Sequence, residues 1–63
     1  PATTSALVGL LSNPDADLRK DAVEALGKIG TPTAVQAITK ALTDRDPQVR
    51  KAAAEALGDI KDS

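Results

Sequence analysis

The sequence predicts an all-α fold of two antiparallel helical hairpins stacked as tandem repeats. Three observations predict it: an internal period of 31 residues, apolar residues at helical spacing within each copy, and capping residues at matching ends. Shifted by 31 residues, Leu18-Arg19-Lys20-Asp21-Ala22-Val23-Glu24-Ala25-Leu26-Gly27-Lys28-Ile29 returns as Val49-Arg50-Lys51-Ala52-Ala53-Ala54-Glu55-Ala56-Leu57-Gly58-Asp59-Ile60. Of the 32 pairs so aligned, 12 are identical, with no gap, which is too regular for chance. A fixed period of roughly 20 to 50 residues marks a stacked repeat array. One domain, 1–63, is expected, with repeat 1 over about 1–31 and repeat 2 over about 32–63. Such an array works as a surface rather than as a pocket of reactive groups.

The first helix is expected over about 2–11, carrying Leu7, Leu10 and Leu11, with Gly9 lowering its propensity. Asp15 is the N-cap of the second, which covers 16–29, and Gly30 supplies its left-handed stop. The third opens at Thr31 with Pro32 at its first position, where a missing N–H costs nothing. A start at Thr33, with Gln36 completing a capping box, is the alternative. It runs to about Leu42 and places Ala34, Val35, Ile38, Ala41 and Leu42 together. Asp46 and Pro47 begin the fourth, which continues through Ile60. At 100° per residue, Leu18, Ala22, Ala25, Leu26 and Ile29 form one apolar stripe, and Val49, Ala53, Ala56, Leu57 and Ile60 repeat it. Lys20, Glu24 and Gly27, then Lys51, Glu55 and Gly58, fall opposite. Gly27 and Gly58 each cost a helix about 1 kcal/mol relative to Ala. Their recurrence suggests close approach of a neighbouring helix or a bend, against a merely tolerated small residue. The connections 12–14 and 43–45 are short polar turns, as antiparallel helix pairs require.

Composition removes whole classes of function. With 14 large aliphatics and no aromatic residue or Met, the core is thin. No Cys means no disulfide or thiolate nucleophile, and no His removes the commonest metal ligand and near-neutral acid–base group. A net charge of −1 with interspersed signs points to neither nucleic acid nor an anionic membrane. The longest apolar run, 6–11, is far short of a membrane span, and no signal peptide is visible. The chain begins at Pro1 without an initiator Met, which suggests an excised or processed piece.

Candidate chemistry is sparse. Asn13, Asp15, Asp17 and Glu24 have part of the spacing of a calcium loop, but Leu18 stands where that loop needs Gly and also begins the helical stripe. Asp15 as cap and Asp17 near the helix N-terminus are the better account. The serines have no histidine to activate them. Glu24 and Glu55 are expected roughly 10 Å apart on adjacent helices, as solvated surface groups rather than a catalytic pair. Gly27-Lys28-Ile29-Gly30-Thr31 lacks the spacing of a phosphate loop. No enzyme activity, cofactor or metal is expected.

The run Asp46-Pro47-Gln48-Val49-Arg50-Lys51-Ala52-Ala53-Ala54-Glu55-Ala56-Leu57-Gly58 closely resembles the second helix of HEAT-like repeats of the phycobilisome-lyase type. Residues 15–30 are similar, and 33–42 resemble the family's first helix; the resemblance covers nearly the whole chain. Artificial consensus repeat proteins follow the same pattern, whereas Gly9, Thr31 and Thr39 depart from it and point to a natural fragment. The resemblance implies a right-handed α-solenoid with second helices lining the concave side. It also implies inter-repeat ties at Asp15, Arg19, Asp46 and Arg50, in place of local i,i+4 surface pairs worth about 0.3–0.5 kcal/mol. Its members include scaffolds, adaptors and accessory subunits of enzymes such as chromophore (phycobilin) lyases.

A protein-interaction or scaffold module is therefore expected. Its contact surface should comprise Lys20, Val23, Glu24, Gly27 and Lys28 with Lys51, Ala54, Glu55, Gly58 and Asp59. Val23 lies off the stripe, either as an apolar spot on that surface or at the rim of the hairpin. Two repeats are fewer than the three or so that usually stand alone, so a homo-oligomer formed by repeat stacking or hairpin exchange is also expected.

Overall fold

The computed structural model describes residues 2–62, with the side chains of 3–60. Four helices follow one another: α1 (Ala2–Leu10), α2 (Ala16–Ile29), α3 (Pro32–Ala41) and α4 (Pro47–Asp62). With no strand among the described residues, the fold is the all-α pair of hairpins, α1–α2 and α3–α4. The second helices α2 and α4 lie along each other most extensively, and α1 meets α3 least. The slab measures 30 × 25 × 14 Å.

Local chemistry sets each boundary. Asp15 sits in extended backbone, and its Oδ1 accepts from the Asp17 N–H at 2.8 Å; Asp46 does the same for Gln48 at 2.8 Å. Gly30 ends α2 at φ 66°, donating to the Leu26 carbonyl. Thr31 caps α3 by accepting from the Ala34 N–H at 3.3 Å, so Thr33 belongs to the helix's first turn and not to its cap. Both hairpin turns close alike. Leu11, Ser12 and Asn13 donate to the carbonyls of Val8, Gly9 and Leu10, and Leu42, Thr43 and Asp44 donate to those of Thr39, Lys40 and Ala41. In each turn an Asx side chain then takes the N–H two residues on: Asn13 that of Asp15, Asp44 that of Asp46.

The core gathers Val23, Leu26, Ala34, Ile38, Val49 and Ala53, all fully buried. Two sequence expectations are corrected here. Leu18, placed on the buried stripe, is 41% exposed, whereas its counterpart Val49 is 0%. Val49 is enclosed within the core, while Leu18 is covered only in part. Val23, placed off the stripe as a surface spot or at the hairpin rim, is neither: it is 0% exposed because α2 is packed on both sides. α2 therefore buries Arg19, Ala22, Val23 and Leu26, and α4 buries Val49, Ala52, Ala53 and Ala56. The same helix sequence turns one face forward in repeat 1 and another backward in repeat 2.

The recurrent glycine divides in the same way. A Cβ on Gly27 would stand 3.0 Å from the Ala56 Cβ, so α4 crosses α2 at that point; a Cβ on Gly58 would meet nothing within 4 Å. Gly58→Ala is expected to raise stability by up to about 1 kcal/mol through helix propensity. Gly27→Ala is expected to lose that gain, since α4 must be pushed away. Urea midpoints of the two variants measure the contrast; equal gains would contradict the close crossing.

Candidate functional site

Arg19 is the best-held polar side chain between the repeats. It is 3% exposed, yet each guanidinium nitrogen has a partner. Nε and Nη2 fork onto the Asp44 carboxylate at 3.0 and 3.2 Å, and Nη1 donates to the carbonyls of Asn13 at 2.8 Å and Pro14 at 3.1 Å. The fork crosses from repeat 1 to repeat 2, and its planar, bidentate form suits Arg and not Lys. Asp15 and Asp46, expected among the inter-repeat ties, act within their own repeats as N-caps. The carboxylate that crosses is Asp44. Its signal in the sequence was the Asn13/Asp44 pair, where the repeat exchanges a neutral Asx residue for a charged one. Arg50 reproduces the local half of the arrangement, its Nη1 donating to the Asp44 carbonyl at 2.7 Å, and is exposed.

Burial opposes the charge on Asp44. The hydrogen bonds from Arg19 and from the Asp46 N–H, aided by the charges of Arg19 and Arg45, outweigh it and hold the carboxyl below its ordinary 3.8. A depressed carboxyl adds stability that is complete above the unfolded value and is lost as pH falls through the folded one. The melting temperature should thus drop as acid is added below about pH 4. Asp44→Asn keeps the turn, as Asn13 shows, and should remove part of that acid limb. Melts of both proteins followed by circular dichroism across this range test it; parallel curves would contradict the assignment.

Seven of the ten residues expected on the contact surface line two grooves. Glu24, Gly27, Lys28, Glu55 and Asp59 line an open groove of about 760 Å³ between α2 and α4, floored by Ala52 and Ala56. Three carboxylates face one lysine there, above a floor of small residues. Ala54 and Gly58 lie elsewhere. With Val35, Thr39, Leu42, Leu57 and Ile60 they line an apolar groove of about 560 Å³ on the end face formed by α3 and α4. Lys20 is half-buried and Lys51 exposed; neither lines a groove, and Val23 is withdrawn into the core. Sequence reasoning missed the end face because a linear stripe does not say on which side of a helix the next repeat stands.

Among the described residues no cluster of carboxylates has the arrangement of a metal site. No helix among them is long and apolar enough to cross a membrane. A search of curated proteins returned no match to the chain. The sequence profile of the family described as HEAT repeats matches residues 3–63, almost the whole chain. With paired helices, a repeating turn and a polar tie between neighbours, the chain belongs to the HEAT repeat family.

Proposed function

We propose that the chain is a non-catalytic interaction module whose α2–α4 groove receives a partner segment bearing basic side chains. HEAT repeats generally mediate protein–protein interaction or scaffolding and are generally non-catalytic. The observation that supports this partner is the groove itself: Glu24, Glu55 and Asp59 against Lys28, over small residues that let another backbone come close. Such complementarity acts on encounter rate and specificity and weakens with salt. A lysine-rich amphipathic helical peptide is the probe. Its anisotropy should report binding that falls with salt and is lost in Glu24→Lys/Glu55→Lys, with helicity unchanged. Equal binding by that variant would overturn the assignment.

Self-association enters through hairpin exchange, which one observation favours. Only Gly30 and Thr31 join α2 to α3, so a straightened hinge lets repeat 1 of one copy rebuild the Arg19–Asp44 seam on another. A species fixed at 6.4 kDa at every concentration would reject exchange. Membership of the phycobilisome-lyase type rests on the 46–58 motif, and the role it brings, accessory segment of a chromophore lyase, rests on that resemblance alone. Spectral titration with an open-chain tetrapyrrole is expected to show no binding; uptake would reinstate that role.

A further inference from the structure

We propose that the groove between α1 and α3 is a second interaction surface, which receives an amphipathic helical segment of another protein bearing aliphatic and acidic side chains. This surface is independent of the α2–α4 groove: the two share no lining residue and differ in charge.

α1 and α3 touch only sparingly, and the gap between them is a groove of about 420 Å³. Val8 and Leu11, both half-buried, form its α1 side, and the buried Ala37 and Ala41 form its floor on α3. From Thr33 to Ala41 the α3 wall is about 12 Å long at the ordinary helical rise, a little over two turns. Ala37 and Ala41 stand four residues apart on one face of α3. Small residues there let the axis of an incoming helix approach to about 8 Å. Aliphatic side chains at i and i+4 of that helix would fall between α3 and the Val8–Leu11 pair.

Charge selects the partner. No side chain from 1 to 14 is charged, so α1 brings none to the groove. Lys40 and Asp44 both line it, yet they do not offset each other. Asp44 is turned to the seam, where its carboxylate accepts from Arg19 Nε and Nη2 and from the Asp46 N–H. Lys40 is exposed and has no ion pair among the described residues. The Ser12 hydroxyl lines the same groove and bonds to nothing among those residues, whereas its counterpart Thr43 donates to the Lys40 carbonyl. Arg45, also exposed, stands in the adjoining hollow with Leu11 and Ser12. The turn end of the groove thus sets an ammonium, a guanidinium and a hydroxyl beside an apolar floor, which favours carboxylates and rejects basic segments. The α2–α4 groove, with three carboxylates to one lysine, has the opposite preference.

A labelled helical peptide with leucines at i,i+4 and glutamates at the flanking positions is the probe. Anisotropy should report one-to-one binding that weakens with salt. Amide shifts in nuclear magnetic resonance should centre on Val8, Ser12, Gln36 and Lys40. Lys40→Glu/Arg45→Glu should weaken binding roughly tenfold or more, through like charges brought together. Both side chains are exposed, so helicity should be unchanged. Changes to the peptide leave the fold of the chain untouched: alanines for its leucines, or glutamines for its glutamates, should each weaken binding by a similar factor. No binding, equal binding by the charge-reversed chain or by either altered peptide, or shifts centred on Glu24 and Glu55 would each overturn the proposal. So would self-association of the chain that Lys40→Glu/Arg45→Glu abolishes, since the groove would then belong to a second copy. Neither substitution touches Glu24 or Glu55, so the lysine-rich peptide still reads the α2–α4 groove separately, and failure of one surface is distinct from failure of the other.

Discussion

Arg19→Ala is expected to lower the unfolding free energy by about 3–5 kcal/mol, the loss typical when one member of a buried ion pair is removed. The side chain is buried, and its truncation leaves the Asp44 carboxylate facing a void, with the Asn13 and Pro14 carbonyls without their donor. Domain stabilities near 5 kcal/mol are ordinary for small chains, so this variant should keep at most about 2 kcal/mol and unfold at much lower urea than the parent. Arg19→Lys should recover only part of the loss, since a single ammonium cannot span both carboxylate oxygens. Arg50→Ala is the internal control: exposed and bonded only within its own repeat, it should cost about 1 kcal/mol or less. Urea denaturation of the three variants measures the ordering. A similar cost for both alanine variants would mean that the cross-repeat fork adds nothing.

Leu26→Ala is expected to cost about 2–5 kcal/mol, the usual range for a buried leucine that leaves a cavity. Leu26 is fully buried between α2 and the second repeat. Leu57, its identical counterpart, packs against the core from the edge and is only half-buried, so Leu57→Ala should cost about half as much or less. The pair shares residue type, helix position and flanking sequence; only the neighbour differs. Equal shifts of the urea midpoint would show that the second repeat does not seal the first.

Much of the fold was legible because its signals are local. Aspartate before each second helix, Pro32 and Pro47 at first helical positions, and Gly30 at the stop each act on backbone groups within a few residues. The α2–α4 surface was legible in part: Glu24, Gly27, Lys28, Glu55 and Asp59 do converge. Its other members were not, because the helical wheel treats α2 and α4 as equivalent. Val23 and Ala54 occupy the same wheel position, yet one is buried and the other exposed.

By itself, then, the sequence determined the period, the helix limits to within about two residues, the turns and the absence of residues suited to cysteine or histidine chemistry. These follow from short-range bonding and from composition. The tertiary structure alone decided which carboxylate meets Arg19, why Gly27 is needed for close contact where Gly58 is not, and why Leu18 is exposed where Val49 is hidden. Each depends on which side of a helix carries a neighbour. A chain of two near-copies has one interior seam and two unlike ends, so equal residues acquire unequal surroundings only when the copies are stacked.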